Sequence, residues 1–198
     1  LIPIIRRTQW PTVDLVPANL DLQNVEYELI AEIRQPGGFA RATQRLRAGI
    51  NAVKHNYDVV IIDPPPSTGF IPFNALLAAN AIIIPLPARW LDFCATTQFL
   101  STFRSLLHVL GRSTEAPIEH RFVRVLCSNF TTRRDEDVFN IMQMSFGSLL
   151  ISEPVHQSEA IKAAAVASRS VYEADAGIVA RDTLQRCRQN LDRVFAIL

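Results

Sequence analysis

The chain has 198 residues, 48% of them hydrophobic, and a formal net charge of +1, a balance that suits a globular chain with a buried core and excludes a disordered polyelectrolyte. No apolar run approaches the roughly 18 residues of a membrane span and the amino terminus lacks a secretion signal, so a cytoplasmic location is expected. With so small a net charge, affinity for nucleic acid has to come from a local patch.

Val13 to Val16 is a short apolar run closed by Pro17 and reads as a buried strand. A helix is predicted next, capped by Asp21, with Leu22, Val25, Leu29 and Ile33 on one face. Gly37 and Gly38 end that unit, and Phe39 to Lys54 repeats the helical pattern with Phe39, Ala42, Leu46, Ile50 and Val53 inward and Arg41, Arg45 and Arg47 on a solvated face. Asp58 to Ile62 holds four consecutive apolar residues, the pattern of a central parallel strand covered on both sides. The alternation continues with helix Phe70 to Asn80, strand Ala81 to Leu86, helix Leu91 to Leu110 and strand Phe122 to Cys127. A helix from about Asp135 to Phe146, a short strand Leu149 to Ile151, and helices near Ser158 to Ala167 and Ile178 to Ile197 complete the chain. Strands alternating with helices predict an α/β fold, a mostly parallel sheet with helices on both faces.

The stretch that carries chemistry is YDVVIIDPPPSTG, Tyr57 to Gly69. An acidic residue directly after a buried strand stands at the carboxyl edge of the sheet, where open α/β proteins place their ligands. In P-loop nucleotide hydrolases such an aspartate holds magnesium, commonly through its water. Asp63 therefore reads as the metal-side residue, although the same residue type at a strand end also serves as a turn former or helix cap. Pro64, Pro65 and Pro66 stiffen the exit, and Ser67 to Gly69 form a loop whose backbone can approach a terminal phosphate closely.

The longer run YDVVIIDPPPSTGFIPFNALLAANAIIIPLP resembles the second conserved block of the ParA-type partition ATPases, a deviant-Walker branch of the P-loop nucleotide hydrolases. VDLVPANLDLQNVEYEL, Val13 to Leu29, resembles the family's Pro-Ala-Asn segment, and FGSLLISEPVHQSEAIKAAAVASRSVYEAD, Phe146 to Asp175, its carboxy-terminal block. Together the three blocks span nearly the whole chain in the family's order, and they are most similar to the longer plasmid-type members. The resemblance implies that residues 1–198 are the carboxy-terminal portion of one nucleotide-binding domain that uses ATP and magnesium.

Asp63 would then be the switch II residue of the magnesium shell, with Pro65, Ser67 and Gly69 in the switch loop. Asn129 and Phe130 occupy the place where family members carry Thr-Arg-Tyr or Thr-Arg-Phe against the base, and Asn129 departs from that arginine. Pro154, in the loop Glu153 to His156, is the other candidate wall, or a plain turn proline. The only lysines, Lys54 and Lys162, lack the glycine-rich turn in which a phosphate-binding lysine works, so the first strand and phosphate loop are expected upstream of Leu1. The 198 residues alone are thus not expected to hydrolyse ATP, and a sheet lacking that strand is expected to be marginally stable or aggregation-prone.

By the same resemblance the intact protein is an ATP-switched homodimer that binds DNA without sequence preference and answers to a centromere-binding ParB-type protein on the nucleoid. Candidate phosphate contacts are Lys162, Arg169, Arg181, Arg186, Arg188 and Arg193, each also readable as a solvated helix residue. The last helix aligns Leu184, Cys187, Leu191, Val194, Phe195 and Leu198 in one stripe, read as core packing in preference to the membrane-surface helix of MinD-like relatives. A nucleotide-independent interaction module is the competing class. Cys94, Cys127 and Cys187 have no disulfide or zinc spacing and are expected to pack, and His55, His108, His120 and His156 show no ligand spacing.

Overall fold

The computed structural model describes residues 2–65, 67, 69–111, 120–131 and 133–198. The chain divides into two compact units, residues 1–82 with 107–121, and residues 83–106 with 122–198.

The first unit opens with a two-residue ribbon. β1 (Arg6–Arg7) pairs antiparallel with β2 (Asp14–Leu15), placing Arg7 opposite Asp14 in an ion pair of 3.4 Å. The Thr8 hydroxyl closes the turn, donating to the Val13 carbonyl at 2.6 Å and accepting the Trp10 amide at 3.1 Å. This corrects the expectation of a buried strand at Val13 to Val16, because Val13, Leu15 and Val16 are exposed.

Three helices then pack together: α1 (Leu22–Ile33), α2 (Gly38–Asn51) and α3 (Phe70–Ala78). Leu29 on α1 and Ala42 on α2 are buried on the faces that the three- and four-residue spacing implies, and Val53, just past α2, and Phe73, Ala75 and Leu77 on α3 are buried with them. Asp21 precedes α1 without a side-chain cap. Asn19 forms a turn just ahead of the helix, its Oδ1 accepting the Asp21 amide at 3.1 Å. Gly38 allows the tight reversal between α1 and α2, since a Cβ there would stand 1.7 Å from the Glu32 carbonyl oxygen. Arg41 and Arg45 are more than a solvated face, for both pair with Glu32 at 3.3 Å and tie α2 to α1.

A second expectation is overturned at Asp58 to Ile62. Among the described residues no strand pairs with this extended run, and Val59 and Ile61 are 74% and 89% exposed. A continuous apolar run becomes a central strand only where neighbours bond both of its edges, and the other described residues supply none.

The second unit is built on β3 (Ala81–Pro87) and β4 (Phe122–Ser128), which are hydrogen-bonded neighbours joined through the long helix α4 (Trp90–Gly111). A strand, helix, strand connection of this length gives a parallel pair. The sheet direction continues through parallel bridges from Val125 to Leu150 and from Phe130 to His156. The expected strand at Leu149 to Ile151 is thus a single bridge following a 3-10 turn at Gly147–Leu149. α5 (Glu136–Phe146), α6 (Glu159–Val166) and α7 (Arg181–Ile197) follow. Leu86, Phe93, Val125, Cys127, Phe130, Met142 and Leu150 form one core, and Ala160, Ala164, Val171, Leu184 and Cys187 a second. The architecture is α/β, a parallel sheet with helices.

Cys127 and Cys187 are buried as expected, and burial pushes the Cys127 thiol up to about 12, whereas Cys94 is exposed. In α7 the apolar stripe is buried at Leu184, Cys187 and Val194, but Phe195 and Leu198 at its end are exposed. No helix among the described residues is long and apolar enough to cross a membrane.

Candidate functional site

Asp63 lies between the 3-10 turn at Lys54–Asn56 and α3, outside any helix or strand, with an exposed carboxylate that has no hydrogen-bond or ion-pair partner among the described residues. Among the described residues it is neither inward-facing nor spent on a local cap. Pro65 and Ser67 are exposed too, and the Ser67 amide donates to the Pro65 carbonyl at 2.8 Å. Pro66 lies outside the described residues.

Gly69 immediately precedes α3, and its place there depends on a residue that sequence reading passed over. The carboxylate of Glu26, on α1, accepts the amides of Phe70 at 2.5 Å and Ile71 at 3.2 Å, satisfying two of the four orphan donors at the head of α3. A Cβ at Gly69 would stand 2.4 Å from Glu26 Oε1, so glycine is what admits the carboxylate. Glu26 was legible only as one acidic residue on a helix. That it meets a helix start 44 residues away is a tertiary fact.

In the second unit the structure brings the two candidate loops for the base together. The Phe130 amide donates to the Val155 carbonyl at 3.0 Å and the Gln157 amide to the Phe130 carbonyl at 3.0 Å, lacing the segment after β4 to the loop Glu153 to His156. Asn129 has a left-handed backbone, φ 54°, a region that asparagine tolerates better than most side chains. It lines a cleft of about 350 Å³ together with Arg89, Trp90, Thr131, Arg134, Asp135 and Gln157. Phe130 takes a different place from the one the resemblance implied, for its ring is 6% exposed and packs on Phe139 and His156 in the core. Pro154 is buried, its carbonyl accepting a bond from Asn190. Burial pushes the Glu153 carboxyl up, but bonds from Arg193 and Asn190 outweigh it and hold the group below its ordinary range.

A family model described as an AAA domain matches residues 2–114, more than half of the chain. Among curated proteins, a replication protein A of Sinorhizobium fredii is 29% identical over 197 residues, covering 98% of this chain and 48% of the relative. Protein SopA of Escherichia coli is 27% identical, covering 85% of this chain and 43% of its own length. The chromosome partitioning protein ParA of Caulobacter vibrioides is 37% identical over 98 residues, 48% of this chain and 34% of that protein. The chain belongs to the ParA-type partition ATPase family.

A solved structure titled partition protein superposes on this ParA-type chain with a TM-score of 0.71 at 22% identity, covering 98% of this chain and 52% of that one, which shows the fold. A cobyrinic acid a,c-diamide synthase from Mycobacterium smegmatis with bound ADP and magnesium matches at a TM-score of 0.64 and 25% identity, covering 80% of this chain and 60% of its own. The ParA-type chain spans about half the length of the first curated relatives it matches.

The basic residues of the ParA-type chain separate by their partners. Lys54 is exposed on its 3-10 turn, and Lys162 on α6 pairs with Glu159 at 2.9 Å. Arg169 and Arg181 are exposed, and Arg186 is exposed with its Nε on the Asp182 carbonyl. Arg193 is engaged with Glu153 at 2.8 Å. The structure gives Arg188 work inside the fold, for its guanidinium donates to the carbonyls of Val171, Tyr172 and Ala174 at 3.0, 3.2 and 2.6 Å. Sequence reading also passed over Arg89, Trp90 and Arg134, whose only signal was their place just past the ends of β3 and β4.

Proposed function

We propose that this chain is the carboxy-terminal portion of a single nucleotide-binding domain in an ATP-dependent DNA partition protein. The observation that carries the reading is Asp63, an exposed carboxylate without a partner among the described residues, in the family's switch position ahead of the glycine-headed helix α3. A lone carboxylate with free oxygens suits a water-mediated contact to magnesium, whose chemistry is to neutralise charge on the phosphates. Pro65, Ser67 and Gly69 follow it toward the terminal phosphate. Within the second unit, considered by itself, the family resemblance gives the base contact to Asn129, held by the loop containing Pro154 and supported by Phe130 from the core. ATP binding joins two copies, the dimer holds DNA without sequence preference, and a ParB-type partner triggers release from the nucleoid. Of the candidate cations, Arg169, Arg181 and Arg186 are exposed and available to phosphates, Lys162 is exposed but paired with Glu159, and Arg188 contributes by tying the middle of α7 to the segment Val171 to Ala174.

The test is magnesium-dependent ATP hydrolysis by the full-length gene product. Asp63→Ala is expected to lower kcat by about a hundred-fold or more, the scale on which an electrostatic contact made in the transition state is lost. Hydrolysis unchanged by Asp63→Ala removes the proposed site. Hydrolysis absent from the unaltered protein favours a nucleotide-independent interaction module instead.

A further inference from the structure

The carboxy-terminal helix carries one residue that neither its packing nor the partition reading explains. α7 turns Leu184, Cys187 and Val194 into the core, and Asn190 stands on the same side, 5% exposed. Burying an amide there is costly unless it is fully bonded, and an aliphatic residue would fill the space without that cost. Asn190 is bonded on both ends, and every bond goes to one loop. Its Nδ2 donates to Glu153 Oε1 at 3.0 Å and to the Pro154 carbonyl at 2.9 Å, while its Oδ1 accepts the His156 amide at 2.9 Å. Arg193 adds a second hold, with Nε 2.9 Å and Nη2 2.8 Å from the same Glu153 oxygen.

The loop so gripped is laced to β4 and to the segment beyond it. The Val155 amide donates to the Cys127 carbonyl at 2.8 Å, and the Val155 carbonyl accepts the Phe130 amide at 3.0 Å. The backbone at Asn129, strained into the left-handed region beside the cleft, is therefore held on one side by a loop whose own position is set from α7. We infer that Asn190 is a positioning residue for base recognition: through three hydrogen bonds to Glu153, Pro154 and His156 it fixes the loop that holds Asn129 at the cleft where the nucleotide base lies. The inference rests on the ATP reading above and deepens it, because it assigns the carboxy-terminal helix a part in choosing the nucleotide.

The experiment compares ATP with inorganic tripolyphosphate, which carries the charge but no base, titrated calorimetrically into the full-length gene product. Asn190→Ala is expected to weaken ATP binding about ten-fold while tripolyphosphate changes less than about two-fold. A purely structural role would weaken both ligands together, and that result overturns the inference, as does an unchanged affinity for both. A wild-type protein that binds neither ligand overturns the ATP reading and this inference with it, so the two failures are distinguishable. Should Asn190→Ala fold poorly, Asn190→Asp keeps the acceptor for His156 but loses both donors and sets a second carboxylate against Glu153. The same selective loss is then expected at neutral pH, with recovery as the pH falls and the new carboxyl takes up a proton. In the full-length gene product, hydrogen exchange at the His156 amide should quicken in Asn190→Ala, which loses its acceptor, and an amide as protected there as in the unaltered protein overturns the clamp.

Discussion

The Glu26 carboxylate at the head of α3 makes a quantitative prediction about how the switch segment is held. Glu26→Ala leaves the Phe70 and Ile71 amides without their acceptor, and the loss of one charged cap at a helix start is expected to cost about 1.5 kcal/mol. Gly69→Ala attacks the same contact from the other side. Its backbone, φ −82° and ψ −174°, suits alanine without strain, yet the new Cβ would stand 2.4 Å from Glu26 Oε1 and 2.9 Å from its Cδ, so the carboxylate has to leave. To that displacement is added about 0.5 kcal/mol for placing alanine at the cap position, making Gly69→Ala worth about 2 kcal/mol alone. With Glu26 already alanine nothing remains to be displaced, and the second change should cost only about 0.5 kcal/mol. The coupling in a double-mutant cycle is therefore about 1.5 kcal/mol, read from urea denaturation midpoints at constant m value. Single effects that add to within about 0.3 kcal/mol would refute the reasoning, since they would mean that Glu26 and Gly69 do not share this contact in solution.

Two further predictions concern the carboxy-terminal half. The Tyr172 hydroxyl donates to Asp192 Oδ1 at 2.6 Å, and that bond, with some desolvation and the nearby negative charge, pushes the phenol up to about 12. Its folded value lies above its unfolded one, so the stability it contributes is complete below pH about 10 and is lost as the pH rises through about 12. Ultraviolet titration should show this late tyrosinate, and Asp192→Asn should bring it down toward 10. Arg188→Ala strips three carbonyls of a charged donor and is expected to destabilise the fold by about 2 kcal/mol, measured by thermal or urea unfolding. An effect under about 0.5 kcal/mol would mean that the guanidinium is idle in the fold.

Much of this molecule was legible from residue spacing. Leu22, Val25, Leu29 and Ile33 announce α1, and Phe39, Ala42, Leu46 and Ile50 announce α2, which ends at Asn51 short of the expected Val53, because the helical period is written in neighbours three and four residues apart. β3 and β4 emerged from their apolar runs in the same way, and Asp63 from the chemistry of a carboxylate in its place. Two strands were misread. Val13 to Val16 finds a partner only at Asp14–Leu15 and stays exposed, while Asp58 to Ile62 finds none among the described residues, and composition says neither whether a partner arrives nor whether the strand is covered. Asn190 left a signal that went unused, a polar residue three positions after buried Cys187 and four before buried Val194 on one helix face.

The sequence by itself determined the α/β class, the order of the helices, the family and the candidate carboxylate, since each rests on local pattern or on ordered motifs within one stretch of chain. Only the tertiary structure decided that Glu26 caps α3, that Phe130 turns into the core, that Arg188 binds carbonyls and that Asn190 grips the loop at Glu153 to His156. Those contacts join residues that lie far apart in the chain. Which polar group meets which is settled by the geometry of packing, because a buried donor or acceptor has to find its partner wherever the fold brings one.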